Sequence, residues 1–187
     1  MPLDPYRLDS NCSLNRLRII DLPDYALPDD IKGKSGFDLL ASVVVKGLTP
    51  QEHGRRIAYL LLTLKRGDAI NRAARPQWDD SYWDYWSQID TFWIGGGQVS
   101  GAHGAAICVT AEQTMQQAGF PAIRVRCADH PRLLPVMGAA RYLPPEIKAT
   151  AAVVLDFGGT AVKRACALYT GEQLERLHVF PSSPRIL

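Results

Sequence analysis

The stretch Val153-Val154-Leu155-Asp156-Phe157-Gly158-Gly159-Thr160-Ala161-Val162-Lys163 decides the reading of this chain: an apolar strand runs into Asp-x-Gly-Gly-Thr-x-x-Lys and out into a second strand-like run. That order brings backbone amides, a hydroxyl, a carboxylate and an ammonium to one tight turn, the set that a polyphosphate and its metal ion require. Gly158 and Gly159 have no Cβ, so the chain turns sharply there and its N–H groups approach an anion closely. Thr160 adds a hydroxyl donor, and Lys163 is placed to reach a terminal phosphate as a point charge. Asp156 is acceptor-only when ionised and suits a hydrated magnesium ion better than a phosphate oxygen. The competing explanation is an ordinary hairpin whose Gly-Gly supplies positive φ and whose charges face water. The joint occurrence of these elements in this order favours the phosphate explanation, although short motifs arise by chance.

Outward from the turn, residues 151–180 read as a meander of three strands, with Gly171 at the turn between the second and third. Residues 133–143 read as a helix that Pro144-Pro145 stops, and these prolines are the best domain boundary. Ile123-Arg124-Val125-Arg126-Cys127 alternates apolar and cationic residues, the pattern of a strand with one wet face, so Arg124 and Arg126 are expected in solvent rather than on a phosphate. Residues 105–118 read as a helix ended by Gly119, and Thr91–Ile94 as a buried strand. Between them stand Gly95, Gly96 and Gly97, which implies a strand-turn-helix whose N-terminal N–H groups face an anion or a polar nucleotide edge. A triple glycine is also explained by a close approach of strand and helix.

Two of these segments together carry a resemblance. Asp-x-Gly-Gly-Thr-x-x-Lys between strands resembles the first phosphate loop of the ROK group of sugar kinases, within the actin, Hsp70 and hexokinase superfamily. Thr91-Phe92-Trp93-Ile94-Gly95-Gly96-Gly97, followed by a helix and by Val136-Met137-Gly138-Ala139-Ala140, is similar to the end of the C-terminal lobe of that family. The order is inverted: in the family the phosphate loop opens the chain and the triple glycine comes late. The chain therefore reads as the family's tail joined to its head, a circular permutation of the kind tolerated where termini lie close together. The resemblance spans residues 36–180 and is specific at the two glycine turns. It implies an α/β chain with a partial or permuted ribonuclease-H-like (actin-like ATPase) fold, helices packed on a mixed sheet, and three parts: an irregular arm at 1–35, part of a C-terminal lobe at 36–143, and a linker with the phosphate-loop meander at 144–187.

The same resemblance implies ATP and magnesium as cofactors, in a cleft between residues 91–104 and 153–163. Asp156 would hold the metal through water, Gly158, Gly159 and Thr160 the phosphates, Lys163 the terminal phosphate, and Gly95, Gly96 and Gly97 the adenosine side. The reaction of such a family is transfer of the γ-phosphoryl group to a sugar hydroxyl, through positioning, charge stabilisation and a base. No segment matches the family's catalytic aspartate, its second phosphate loop or its Cys-and-His zinc motif, so no catalytic residue is assigned. Most of an N-terminal lobe has no sequence to supply it, which implies either one piece of a longer permuted protein with a missing partner lobe, or a truncated remnant without activity, whose exposed apolar surface would drive formation of a homodimer. A noncatalytic, regulatory nucleotide-binding module is the other alternative, and no helix-turn-helix segment accompanies it.

The remaining sequence sets bounds. With 187 residues, 47% of them hydrophobic and 21% charged, the chain is long enough to bury a core and is neither disordered nor membrane-like. Lys and Arg total 21 against 19 Asp and Glu, a net charge of +2 that makes no case for nucleic acid. No apolar run has the length of a membrane span, and Met1-Pro2-Leu3-Asp4-Pro5 is not a signal peptide. Cys12, Cys108, Cys127 and Cys166 are widely spaced, which predicts reduced, mostly buried thiols in a cytoplasmic protein. His53, His103, His130 and His178 pair with no nucleophile.

Residues 1–35 are rich in Pro and Asp without a sustained period and are expected to form an irregular arm. Residues 49–67 give the clearest helix: Thr49-Pro50-Gln51-Glu52 is a capping box with Pro at the first helical position, and Ile57, Leu60, Leu61 and Leu64 follow at helical spacing. Trp78-Asp79-Asp80-Ser81-Tyr82-Trp83-Asp84-Tyr85-Trp86 offers acids for a metal or a base and rings for a sugar platform. An amphipathic helix with rings inward and acids outward explains the same residues and is preferred.

Overall fold

The computed structural model describes residues 14–36, 38, 39, 47–97, 99–141, 150–157, 161–171 and 173–184. The chain is α/β and divides into two compact units, Met1–Ile94 with Gly101–Cys127, and Gly95–Ser100 with Ala128–Leu187. Among the described residues no helix is long and apolar enough to cross a membrane.

In the first unit the capping box forms as the sequence predicts. Thr49 Oγ1 accepts the Glu52 N–H at 3.2 Å and Glu52 Oε2 accepts the Thr49 N–H at 2.9 Å, which starts helix α1 at Pro50–Arg66. Gly67, at φ 54°, closes it by donating its N–H to Thr63 O, a left-handed cap that glycine adopts without a Cβ penalty. Ile57, Leu60, Leu61 and Leu64 are all buried. Helix α1 crosses the helix Gly101–Gln117 so closely that a Cβ on Gly54 would lie 2.6 Å from Ile107 O.

Between these helices lie α2 (Ala69–Ala73), α3 (Asp80–Gln88) and strand β1 (Thr91–Ile94); Gly101–Gln117 is α4, and β2 follows at Arg124–Cys127. β1 and β2 pair in parallel, Thr91 opposite Arg124 and Ile94 opposite Cys127, with α4 as the crossover that a parallel pair requires. The limits of β1 match the sequence, but its expected burial does not hold. Phe92 is buried while Trp93 is 66% exposed, because a two-stranded ribbon has a second face to which its alternate side chains must point. Helix α4 begins four residues before the predicted start, at Gly101, which takes a positive φ of 60°. Residues 14–36 are irregular, as expected, yet they are packed: Leu17, Ile19, Leu22, Leu27 and Ile31 are buried.

In the second unit, helix α5 (Leu134–Arg141) lies on an antiparallel meander of β3 (Ala151–Phe157), β4 (Ala161–Thr170) and β5 (Gln173–Pro184) in that order. Gly171 makes the β4–β5 turn at φ 63°. Val136 and Ala140 of α5 form a core with Val154, Ala165, Ala167 and Tyr169. The compact units part after Cys127, earlier than the Pro144-Pro145 boundary read from sequence; those prolines lie outside the described residues. The reason is α5, whose buried residues are matched to the meander and which therefore travels with it.

Candidate functional site

Period-two alternation on β3 and β4 builds the site. Val154 and Ala165 pair directly and face α5; two residues further along each strand, Asp156 and Lys163 are also directly paired, on that same face. Lys163 Nζ and Asp156 Oδ2 form an ion pair, with side chains 24% and 21% exposed. The described strands thus deliver a carboxylate and an ammonium together at the end of the hairpin where residues 158–160 join β3 to β4. Gly158, Gly159 and Thr160 themselves lie outside the described residues.

The triple glycine belongs to the same compact unit. Gly96, at φ 110°, donates its N–H to Pro131 O at 2.7 Å, and Ser100 Oγ lies 3.3 Å from Gly97 O. A Cβ on Gly95 would overlap Leu134 Cδ1 and stand 3.3 Å from Pro131 O. The turn is therefore seated on the start of α5, whose next turn packs on the sheet of the β3–β4 hairpin. Gly95 is accounted for by this close approach and Gly96 by its backbone conformation.

No family model, curated protein or solved structure matches the chain. The functional reading therefore stands on the geometry and on the residues themselves.

Other candidate residues have structural roles. Asp79 caps α3 by accepting the Ser81 N–H and hydroxyl, and the Ser81 hydroxyl holds its carboxyl below the usual range. Asp80 pairs with Arg72 at 2.7 Å. Trp83 is buried and meets Trp78 edge-on at 5.1 Å, with Arg72 and Arg75 over the two rings. The acids Asp79, Asp80 and Asp84 face outward and Trp78 and Trp83 inward, the amphipathic arrangement that the sequence favoured over a sugar platform, but Tyr85 departs from it and is 37% exposed. Among the described residues no group of three or more His, Cys, Asp and Glu is arranged to hold a metal.

The cysteines require a correction. Cys108 and Cys127 are joined in a disulfide, with Cα atoms 6.4 Å apart, while Cys166 is a free, half-buried thiol. Cys108 shares the buried face of α4 with Gly104, Ile107, Ala111 and Met115, and the β1–α4–β2 crossover returns the chain so that Cys127 arrives beside it. Wide sequence spacing was therefore no guide to separation in space; the helical phase of Cys108 and the strand position of Cys127 were the available signals. An open groove of about 410 Å³ lies over the bridge, lined by both cysteines, Val109, Gln113, Gln116 and Arg126 among others. Glu112 spans it, accepting the Val125 N–H at 2.9 Å and Arg126 Nη1 at 3.2 Å, so Arg126 is anchored rather than merely solvated.

Proposed function

We propose that the chain is a ROK-like relative of the sugar kinases that binds Mg-ATP, with the β3–β4 hairpin as its phosphate arm and a partial or permuted ribonuclease-H-like fold. The observation that carries the proposal is the pairing of Asp156 with Lys163 at the mouth of Gly158-Gly159-Thr160. Magnesium retains most of its water and accepts binding through one or two carboxylates, so a single partly buried aspartate fits a hydrated ion. The bound metal ion would supply charge neutralisation to the phosphates. Asp156 would hold the hydrated metal ion, and Lys163 would meet the terminal phosphate on leaving the ion pair. The metal ion would replace Lys163 beside Asp156 and the phosphate would replace Asp156 beside Lys163, so neither charge is left unpaired when the pair opens. Gly95, Gly96 and Gly97 form the adenosine side.

Transfer to a sugar hydroxyl requires a base, and none is assigned here. Phosphoryl transfer accordingly belongs to a site completed by a further lobe or partner chain, and nucleotide binding is the activity proposed for these residues. Calorimetric titration with ATP and magnesium tests it: saturable binding that Asp156→Ala abolishes is expected, and a wild-type chain that takes up no nucleotide would overturn it.

A further inference from the structure

The groove over the Cys108–Cys127 disulfide has a chemistry of its own, independent of the phosphate hairpin. The two sulfurs are not equally placed. Cys108 sits within α4 and is 5% exposed, whereas Cys127 ends β2 and is half-buried. Val109, 54% exposed, stands at the groove as an apolar wall one residue beyond Cys108. Gln113 and Gln116 present side-chain amides along the same helix, and Arg126 presents a guanidinium that is half exposed and braced by Glu112. Amides suit peptide groups and a guanidinium suits a carboxylate. Gly104 O lies 3.1 Å from Cys127 Sγ, an acceptor already in position for the thiol that would exist after reduction.

We propose that this groove is a thiol-exchange site for a small peptidic thiol bearing a carboxylate, and that Cys127 is the sulfur it attacks. The incoming thiolate bonds to Cys127 Sγ, the Cys108–Cys127 bond breaks, and its electron pair leaves on Cys108, which takes a proton from solvent. A second peptidic thiolate then attacks the ligand sulfur of the mixed disulfide. It releases the oxidised ligand dimer and leaves Cys127 as a thiolate, which is protonated and donates to Gly104 O. Two ligand thiols are oxidised and one protein disulfide is reduced, so atoms and electrons balance. Attack at Cys127 is favoured because exchange demands access to the attacked sulfur.

Glutathione serves as the probe, on a chain carrying Cys12→Ser and Cys166→Ser, with free thiols trapped by alkylation and located by mass spectrometry. The pair is expected to pass from bonded to reduced as the ratio of reduced to oxidised glutathione rises. In the same background Cys108→Ser should take up glutathione on Cys127 faster than Cys127→Ser does on Cys108. Val109→Trp, which fills the groove, should slow reduction by glutathione severalfold while leaving reduction by 2-mercaptoethanol nearly unchanged; this arm needs neither cysteine variant to fold. A pair that remains as thiols in oxidised glutathione, faster labelling of Cys108, or equal slowing of both reagents by Val109→Trp would each overturn the proposal.

Discussion

Asp156 and Lys163 stand directly opposite one another across β3 and β4 and close on each other as an ion pair. Two groups that the proposed function gives to different parts of a nucleotide are thus partners of one another. With side chains 24% and 21% exposed, the pair is mostly withdrawn from water, so leaving either charge unpaired costs more than the roughly 0–1 kcal/mol of an exposed pair. A reciprocal exchange, Asp156→Lys with Lys163→Asp, preserves the cross-strand attraction and reverses its polarity. The exchanged chain should melt close to the wild-type temperature and yet fail to bind Mg-ATP by calorimetry. Retained binding would show that position-specific charge is irrelevant to the hairpin.

Gly95 makes a second, steric prediction. Its hypothetical Cβ meets both the Leu134 side chain and the Pro131 carbonyl, so Gly95→Ala displaces the end of the Leu134 side chain and presses on the carbonyl. Overpacking of this kind costs about 1–3 kcal/mol. Leu134→Ala removes the side-chain half of the clash, and the double variant should be less destabilised than the sum of the singles. Denaturant melts of the four proteins measure that coupling; simple additivity would mean the turn does not rest on Leu134.

Tyr169 on β4 fastens α5 by donating its hydroxyl to Ala140 O at 2.6 Å in a buried setting. Tyr169→Phe leaves that carbonyl without the donor, at a loss of about 1–3 kcal/mol. Urea unfolding should show a lower midpoint with an unchanged slope, because the surface exposed on unfolding is the same.

Elements whose signal is local were legible in the sequence. The α1 cap, β1, β2 and the three-strand meander fall where spacing and turn residues put them, because caps and alternation act over a few residues. What depends on tertiary placement was not. Residues 14–36 have no period, and their burial rests partly on Asn71. This buried side chain accepts the Ile20 N–H at 2.9 Å and donates to Asp21 O at 2.7 Å, some fifty positions away in the chain. The disulfide was missed for the same reason, as the crossover sets its geometry. At the candidate site the motif was readable, while the direct opposition of Asp156 and Lys163 and the seating of Gly95 on Leu134 required the strand register and the position of α5.

That role of Asn71 is itself testable. Asn71→Leu removes an acceptor and a donor from backbone groups of the irregular segment and should destabilise the chain by about 2–5 kcal/mol. Amide exchange at Ile20 should accelerate more than exchange in α4. Uniform acceleration would assign the loss to the whole unit rather than to the detachment of residues 20–21.

His53 predicts the dependence on acid. It is 4% exposed, its Nδ1 has no hydrogen-bond partner among the described residues, and burial pushes its pKa below the ordinary imidazole value, helped by the nearby charges of His103 and Arg56. The unfolded chain therefore binds a proton at this position more readily than the folded one. Stability is full above the unfolded value of about 6.5 and declines as the pH drops through it, levelling off once the folded imidazole also protonates. His53→Leu removes a titrating group that sits in an apolar helix face and should flatten this part of the profile. Urea midpoints measured from about pH 7.5 down to about pH 5 should fall more steeply for wild type than for the variant, and parallel profiles would show that the acid sensitivity arises elsewhere.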